Sequence, residues 1–151
     1  KQAELDNRYL RMACIWSENS YCTRRQVGAL IVKDKMIISD GYNGTPSGFE
    51  NICEDENDVT FPYVLHAEAN AIIAASREQM LGATLYMVSV NAKTGELEPG
   101  TSSCMMCKRK VINAGIAYVV VRDNKDSFRV IDVNEWIEND DSLQGEFSFL
   151  K

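Results

Sequence analysis

The sequence has no long hydrophobic run and comparatively little positive charge. Nothing in its 151 residues approaches the about eighteen uninterrupted apolar residues that suggest a membrane-spanning helix. Sixteen lysines and arginines stand against 22 aspartates and glutamates, which gives a net charge of −6. A basic face for binding a nucleic-acid backbone is therefore not expected. We expect a globular domain over residues 1–151 with neither a membrane nor a nucleic acid as partner.

The few positive charges form two local clusters. Arg24 and Arg25 are adjacent, and Lys108, Arg109 and Lys110 follow one another later in the chain. Either cluster can hold a small anionic ligand despite the negative net charge, and either can equally be a solvated surface.

Signal-peptide features and an even cysteine count are also missing. The N-terminal stretch "KQAELDNRYLRMA" is charged and lacks the apolar core of a secretory signal. The five cysteines are Cys14, Cys22, Cys53, Cys104 and Cys107. An odd number without a secretory signal indicates a reducing compartment, where thiols are metal ligands or buried apolar groups. We therefore expect a cytoplasmic protein.

Hydrophobic periodicity predicts alternating helices and strands. Helices are expected in "AELDNRYLRMACIWSENS", in "HAEANAIIAASREQM" as far as Gly82, and in "CMMCKRKVINAG" as far as Gly115. Strands are expected as a hairpin around "KDK" in "QVGALIVKDKMIISDGYNG" and in "ATLYMVSV" and "IAYVVV", with a short strand and a last helix in "DSFRVIDVNEWIEND". The stretch "GYNGTPSGFENICEDENDVTFP" reads as a long loop. This order predicts an α/β sandwich with helices on both faces of a mixed sheet of about five strands.

Histidine is nearly absent, and His66 is the only one in the chain. It opens a predicted helix, and so do Cys104 and Cys107, whose spacing of three puts both sulfurs on one helix face. A helix N-terminus also favours the deprotonated thiols that metals bind. His66, Cys104 and Cys107 therefore predict a Cys2His zinc site with an open fourth position, the arrangement of a catalytic metal.

Glu68 stands two residues after His66, in a stretch with almost no other charge. Residues two apart do not share a helix face, so Glu68 is better placed beside the metal than on it. There a carboxylate can take a proton from a zinc-activated water and hand it on. The alternative is a closed structural zinc site with Cys14, Cys22 or Cys53 as fourth ligand, which leaves Glu68 without a role.

The combination H-x-E and C-x-x-C is the signature of the zinc-dependent deaminases. On His66, Glu68, Cys104 and Cys107 the sequence resembles the cytidine deaminase superfamily. The stretch "GYNGTPSG" resembles the G-Y-N-G-x-P motif of its deoxycytidylate (dCMP) deaminase branch. The resemblance implies the cytidine deaminase-like three-layer α/β/α fold, one zinc ion per chain, and hydrolysis of dCMP to dUMP and ammonia, which supplies thymidylate synthesis.

The resemblance also implies roles for individual residues. A zinc-activated water would attack C4 of the cytosine ring, while Glu68 would protonate N3 and then the departing amino group. The implied substrate contacts come from Ala67 to the base O2, Ser102 and Ser103 to the exocyclic amine, Asn43 to the sugar, and Arg24 or Arg25 to the 5′-phosphate.

Assembly and regulation are implied by the resemblance alone. Members of the branch are usually hexamers. Many respond to dCTP and dTTP, with Mg²⁺, at a second site near the loop that carries Tyr42, Gly44 and Pro46. For Asn43 and Gly44 a plain tight turn with positive φ is the alternative interpretation.

Two features depart from the family pattern. Ser103 stands where the family usually has proline before the first zinc cysteine. The excursion "NAKTGELEPGTSS", residues 91–103, lengthens the connection between the strand and the cysteines, with a turn expected at Thr94-Gly95. The excursion is expected to reshape the substrate mouth, contact a neighbouring subunit, form a lid, or be an inert hairpin.

Some relatives hold a second, structural zinc on cysteines that resemble Cys22 and Cys53, helped by histidines. Since His66 is already used, we expect Cys22 and Cys53 to be free thiols or pocket-wall residues, and Cys14 to be a core residue.

Other functions remain open at this point. Within the same chemistry, the alternatives are a deaminase of another cytosine nucleoside or nucleotide, or of a modified pyrimidine nucleotide. A tRNA adenosine deaminase is disfavoured by the acidic composition, and a riboflavin-pathway deaminase by the missing G-R-T-x-P-C run. The alternative from a different class is a non-catalytic zinc-binding regulatory module.

Overall fold

The computed structural model describes residues 1–101, 103 and 105–139. Within these residues there are five helices and five strands. In chain order they are α1 (Gln2–Ser17), β1 (Arg25–Lys33), β2 (Met36–Tyr42), α2 (Ala67–Ile73), α3 (Arg77–Met80), β3 (Thr84–Asn91), α4 (Met105–Ala114), β4 (Tyr118–Asn124), β5 (Ser127–Asp132) and α5 (Val133–Asn139). None of the described helices is both long and apolar enough to span a bilayer.

The strands form one mixed sheet in the order β2-β1-β3-β4-β5. Strands β3 and β4 are parallel, and the other neighbouring pairs are antiparallel. The parallel pair needs a crossover connection, which α4 supplies. The predicted mixed sheet of about five strands is thus confirmed.

Helices cover both faces of the sheet, which confirms the three-layer sandwich. On one face, Leu10 and Ala13 of α1 pack against Leu30, Tyr86 and Val88. On the other face lie α2, α4 and α5, whose contribution to the core includes Ala67, Ala71, Val111, Val133 and Trp136. The central apolar runs of β1, β3 and β4 are buried on both faces, as expected for covered strands.

The predicted single helix over residues 66–80 is wrong. Helix α2 ends at Ile73, and Ser76 starts the separate helix α3 with a capping box. The Ser76 side chain accepts from the Gln79 N–H, and the Gln79 side chain accepts from the Ser76 N–H. This reciprocal cap satisfies backbone donors that a continuous helix would have bonded internally, so a new helix begins there.

The predicted hairpin turn and the predicted end of α4 agree with the structure. The β1–β2 hairpin turns at Asp34 and Lys35, whose φ values are 52° and 63°. Positive φ at both central residues is the geometry of the tight type I′ turn. Gly115 follows the last residue of α4 with φ 81°, the left-handed conformation that commonly ends a helix.

Gly41 sets how closely α2 approaches the sheet. A Cβ at this position would lie 2.5 Å from the Ala67 carbonyl oxygen and 2.6 Å from the Ala71 nitrogen. Only glycine lets the helix backbone come this near to strand β2. The first turn of α2, which carries the predicted catalytic residues, is therefore held directly against the sheet.

Candidate active site

A pocket of about 360 Å³ opens where the N-terminus of α2 meets the start of β1 and the end of β3. Its walls combine residues that the sequence singled out with others that it did not. The former are Arg24, Arg25, Asn43, His66, Ala67 and Glu68, and the latter include Val27, Glu54, Met87, Ser89 and Thr101. The other cationic cluster lies on α4, where Lys108 sits over the Trp136 ring and does not line this pocket.

The histidine is positioned by the backbone on both sides of it. His66 is the N-cap residue of α2, in an extended conformation. The preceding Leu65 pairs with Gly44 through two backbone hydrogen bonds of 2.8 and 3.1 Å. One turn into the helix, the Asn70 side chain donates to the Tyr42 carbonyl at 2.8 Å. The "GYNG" motif thereby anchors the start of α2, and with it the imidazole.

His66 meets Cys107, as the spacing of the motifs predicted. Nδ1 of His66 lies 3.3 Å from Sγ of Cys107, and both atoms lie within 4.8 Å of a Glu68 carboxylate oxygen. Two ligands on a tetrahedral zinc with Zn–S of about 2.3 Å and Zn–N of about 2.0 Å stand roughly 3.5 Å apart. The His66–Cys107 pair therefore fits a zinc ion in both chemistry and spacing. Cys104, the third predicted ligand, lies outside the described residues.

Glu68 is a buried carboxylate in the first turn of α2, with 4% of its surface exposed. It lines the same pocket as His66, and so does the completely buried Ala67. A carboxylate beside the imidazole–thiol pair, rather than remote from it, can exchange protons with a water molecule or a ligand in the pocket.

The Asn43 side chain bridges two backbone groups of β1 and does not form a turn. Its Oδ1 accepts from the Val27 N–H and its Nδ2 donates to the Arg25 carbonyl, both at 2.8 Å. Neither Asn43 nor Gly44 has a positive φ, so the tight-turn interpretation is wrong. Tyr42 and Pro46, of the expected effector loop, lie outside the pocket lining.

The arginine pair stands at the pocket because Glu54 fixes the backbone before it. The Glu54 carboxylate accepts from the backbone N–H groups of Thr23 and Arg24 at 3.0 to 3.1 Å and from the Thr23 hydroxyl at 3.0 Å. Arg24 also approaches the Thr60 hydroxyl at 3.4 Å. Sequence reasoning missed Glu54, because nothing in "CEDEND" distinguishes the one buried acid from its more exposed neighbours.

Cys22 and Cys53 are not free thiols, contrary to expectation. They form a disulfide that joins the segment before β1 to the long loop, with Cα atoms 5.1 Å apart. Both residues are buried, and Cys22 also lines the pocket, so the pocket-wall part of the prediction holds for it. Cys14 is partly buried rather than fully enclosed. Pairing across 31 residues depends on the fold of the loop, which composition does not encode.

The excursion after β3 is a hairpin that borders the pocket. The Asn91 N–H donates to the Glu96 carbonyl, the Glu98 N–H donates to the Ser89 backbone carbonyl, and Gly95 turns the chain with φ 75°. The turn predicted at Thr94-Gly95 is thus confirmed.

Two contacts join the excursion to the pocket wall. The Ala92 N–H donates to the Arg24 carbonyl at 3.1 Å, and Lys93 pairs with Asp58 at 2.6 Å. The returning strand brings Thr101 into the pocket lining and buries Ser103. Ser102 lies outside the described residues.

Residues 3–123 match the family model for the cytidine and deoxycytidylate deaminase zinc-binding region. Among curated proteins, the chain is 31% identical over 140 residues to the deoxycytidylate deaminase of Saccharomyces cerevisiae, which covers 83% of this chain and 41% of the yeast protein. It is 31% identical over 129 residues to the deoxycytidylate deaminase of Mycobacterium phage D29, which covers 76% of this chain and 91% of the phage protein. The chain therefore spans less than half of the yeast relative and nearly all of the phage relative.

Among solved structures, the dCMP deaminase of cyanophage S-TIM5 in complex with dCMP and dUMP is similar. Its TM-score is 0.66 at 30% identity, with 93% of this chain and 88% of the phage chain covered. The cytidine deaminase of Burkholderia pseudomallei shares the fold, with a TM-score of 0.58 at 20% identity.

Proposed function

Because the chain belongs to the cytidine and deoxycytidylate deaminase family, we propose that it is a zinc-dependent hydrolase that converts dCMP and water into dUMP and ammonia. One observation carries the proposal. The single histidine and a buried carboxylate line one pocket together with two arginines, and the buried Cys107 thiol lies within 4.8 Å of both groups.

The metal would be held by His66 and Cys107, with Cys104 as the third ligand that the sequence spacing implies. The thiol and imidazole found together here are the donors that zinc prefers. When bound, zinc supplies a Lewis acid that lowers the pKa of a water molecule to about 7.

Glu68 performs the proton transfers in this proposal. Its carboxylate accepts a proton from the attacking water as the oxygen adds to C4, and delivers that proton to N3 of the ring. It then carries the second proton of the water oxygen to the departing amino group, which leaves as ammonia. The burial of Glu68 keeps bulk water from competing for these protons.

In this proposal, other residues recognise the nucleotide. The Ala67 N–H, at the N-terminus of α2, suits the base O2, and Ser102 and Ser103 suit the exocyclic amine. Asn43 keeps one amide hydrogen and one lone pair beyond its two backbone bonds, enough for a sugar hydroxyl. Arg24 or Arg25 would pair with the 5′-phosphate, since a guanidinium matches phosphate oxygens.

We likewise propose that residues 1–151 form one deaminase domain and that the protein is cytoplasmic. We propose further that it is a homo-oligomer, a hexamer as in the family. We also propose that dCTP and dTTP act with Mg²⁺ at the Tyr42–Pro46 loop. A phosphorylated substrate supports the cytoplasmic location, since a doubly charged nucleotide does not cross membranes unaided.

A second candidate is a deaminase of another cytosine nucleoside or nucleotide, or of a modified pyrimidine nucleotide. It is favoured by the hairpin of residues 91–98, which reaches Arg24 at its tip and brings Thr101 into the pocket wall. An added wall element can change the ligand preference of a pocket without changing the reaction.

The substitution Glu68→Gln tests the proton-transfer role. The amide keeps the size of the side chain but cannot accept a proton, so we expect kcat to fall by about 10³-fold with the zinc content unchanged. Glu78→Gln, on the exposed surface of α3, is the control and should leave both values as in the wild type. A Glu68→Gln protein with full activity would contradict the role, and so would loss of zinc as the whole cause of inactivity.

A further inference from the structure

Ser89 carries a buried hydroxyl group that bonds to nothing in the described part of the protein. The residue lies on β3 with 1% of its surface exposed, and its Oγ has no hydrogen-bond partner there. Ser89 also lines the pocket that contains His66 and Glu68. Neither the deaminase motifs nor the proposed reaction gives it a role.

Two other buried serines, Ser17 and Ser39, have bonded hydroxyl groups. The Ser17 hydroxyl donates to the Cys14 carbonyl at 2.5 Å, and the Ser39 hydroxyl donates to the Ala71 carbonyl at 2.6 Å. Buried polar groups are nearly always paired, because an unpaired one loses its bonds to water and gains none. The neighbouring wall residues Val27 and Met87 are apolar. An apolar side chain would suit this wall better unless the hydroxyl meets a ligand.

The register of the sheet gives the depth of Ser89 in the pocket. Ser89 pairs with Val27, and one pleat further out Asn91 pairs with Arg25. Met87, one pleat further in, faces the same side because side chains two apart in a strand share a face. Ser89 therefore lies inward of the Arg25 level, and a ligand that reaches from the arginines toward His66 passes it with its nucleoside part rather than with its phosphate.

We propose that Ser89 is a substrate-binding residue whose hydroxyl forms a hydrogen bond with a polar atom of the pyrimidine nucleoside part of the ligand. The proposal rests on the proposed function, because it takes a pyrimidine nucleotide as the ligand of this pocket. The hydroxyl can donate or accept, so it can serve a carbonyl, an amine or a sugar hydroxyl.

The test compares the binding of dUMP and deoxyuridine to zinc-loaded protein by calorimetry, which requires no turnover. Ser89→Ala should weaken both ligands by the same factor, about 5- to 10-fold, as expected for one lost hydrogen bond. Arg24→Gln, in contrast, should weaken dUMP but not deoxyuridine. With dCMP as substrate, Ser89→Ala should raise KM by a similar factor and change kcat less than about 2-fold.

Ser17→Ala is the matched control, since it removes a buried but satisfied hydroxyl on the opposite side of the sheet. It should lower the melting temperature and leave binding unchanged. Ser89→Ala should not lower the melting temperature of the ligand-free protein, because its hydroxyl gives up no bond there.

Three results would overturn the proposal. They are wild-type affinity of Ser89→Ala for both ligands, a loss confined to dUMP, and a fall in melting temperature equal to that of Ser17→Ala. Failure of the proposed function looks different: the wild type would bind dUMP without releasing ammonia from dCMP. The comparison of ligand binding between Ser89→Ala and the wild type can still be interpreted in that case, because it requires no turnover. A wild type that binds neither dUMP nor deoxyuridine contradicts both.

Discussion

Single residues at this site both hold the backbone together and line the pocket. Asn43 is an example, since its amide bridges two backbone groups of β1 and also faces the pocket. Tyr86 is a purely structural counterpart on the other face of the sheet. Its hydroxyl donates to Asp6 at 2.5 Å and so ties β3 to α1. Burial, followed by this contact, raises the pKa of Tyr86, so the tyrosine remains protonated throughout the physiological range.

Replacing Asn43 separates its structural from its binding role. Asn43→Ala leaves the Val27 N–H and the Arg25 carbonyl without their partner, so the free energy of unfolding should fall by about 1–3 kcal/mol. Asn43→Asp keeps the acceptor for Val27 but loses the donor to Arg25, and should fall between the alanine variant and the wild type. Urea unfolding measures both. Equal stability of all three proteins would contradict this bridging role of Asn43.

The residues that we propose as catalytic and metal-binding can be recognised in the sequence because their spacing is local. His66 and Glu68 are two residues apart, and a C-x-x-C at a helix start can face only a nearby ligand. Glu54 and Ser89 could not be predicted, because their importance comes from burial against residues far along the chain. Glu54 bonds to a backbone 30 residues away, and Ser89 faces the pocket through the register of β1 with β3.

At the scale of elements, the segments around the sheet edge define the pocket. The long loop, the start of β1 and the hairpin after β3 meet there, joined by Glu54, by the Lys93–Asp58 ion pair and by the Cys22–Cys53 disulfide. These are long-range links between polar segments. Hydrophobic periodicity predicted the helices and strands that frame them, but it carries no information about such links.

The break between α2 and α3 has a different origin. The stretch "SREQ" has the serine and the glutamine of a capping box, which the sequence displays openly. The apolar residues on either side also fit one continuous helix, and this pattern predicts a single helix. A separate helix begins at Ser76 because the capping box satisfies the first backbone donors of α3.

The disulfide should stabilise the arrangement of these elements. Closing a loop of 31 residues restricts the unfolded chain, which is worth about 3–4 kcal/mol in the chain-entropy model. Reduction of the wild type should therefore lower its melting temperature by roughly 10 °C. The double variant Cys22→Ser/Cys53→Ser should melt at the reduced value with or without reductant.

Cys14→Ser, which removes a free thiol, is the control and should keep the response to reductant. Because Cys22 and Cys53 flank the groups that hold Arg24 and Glu54, the double variant should also raise KM for dCMP. Five titratable thiols in the unreduced, unfolded wild type would contradict the disulfide. Two zinc ions per chain would point to metal rather than a disulfide at this pair.

Across the whole molecule, acidic residues outnumber basic ones. The chain carries a net charge of −6, yet two arginines line the pocket. Glu54 and Glu68 line the same pocket, so the two arginines offer a local site for a small phosphorylated ligand rather than a positive face for a polyanion. The three layers position this site, because α2 packs closely against the sheet at Gly41 and α4 connects β3 to β4.

The most direct measurement is ammonia release by the zinc-loaded protein from dCMP, CMP, deoxycytidine, cytidine and cytosine, side by side. We predict that kcat/KM is highest for dCMP, and that removal of zinc with a chelator abolishes the activity until zinc is restored. A higher kcat/KM for the nucleosides would show that the hairpin after β3 has changed the substrate. No ammonia from any of the five would contradict the central claim that this pocket deaminates a cytosine nucleotide.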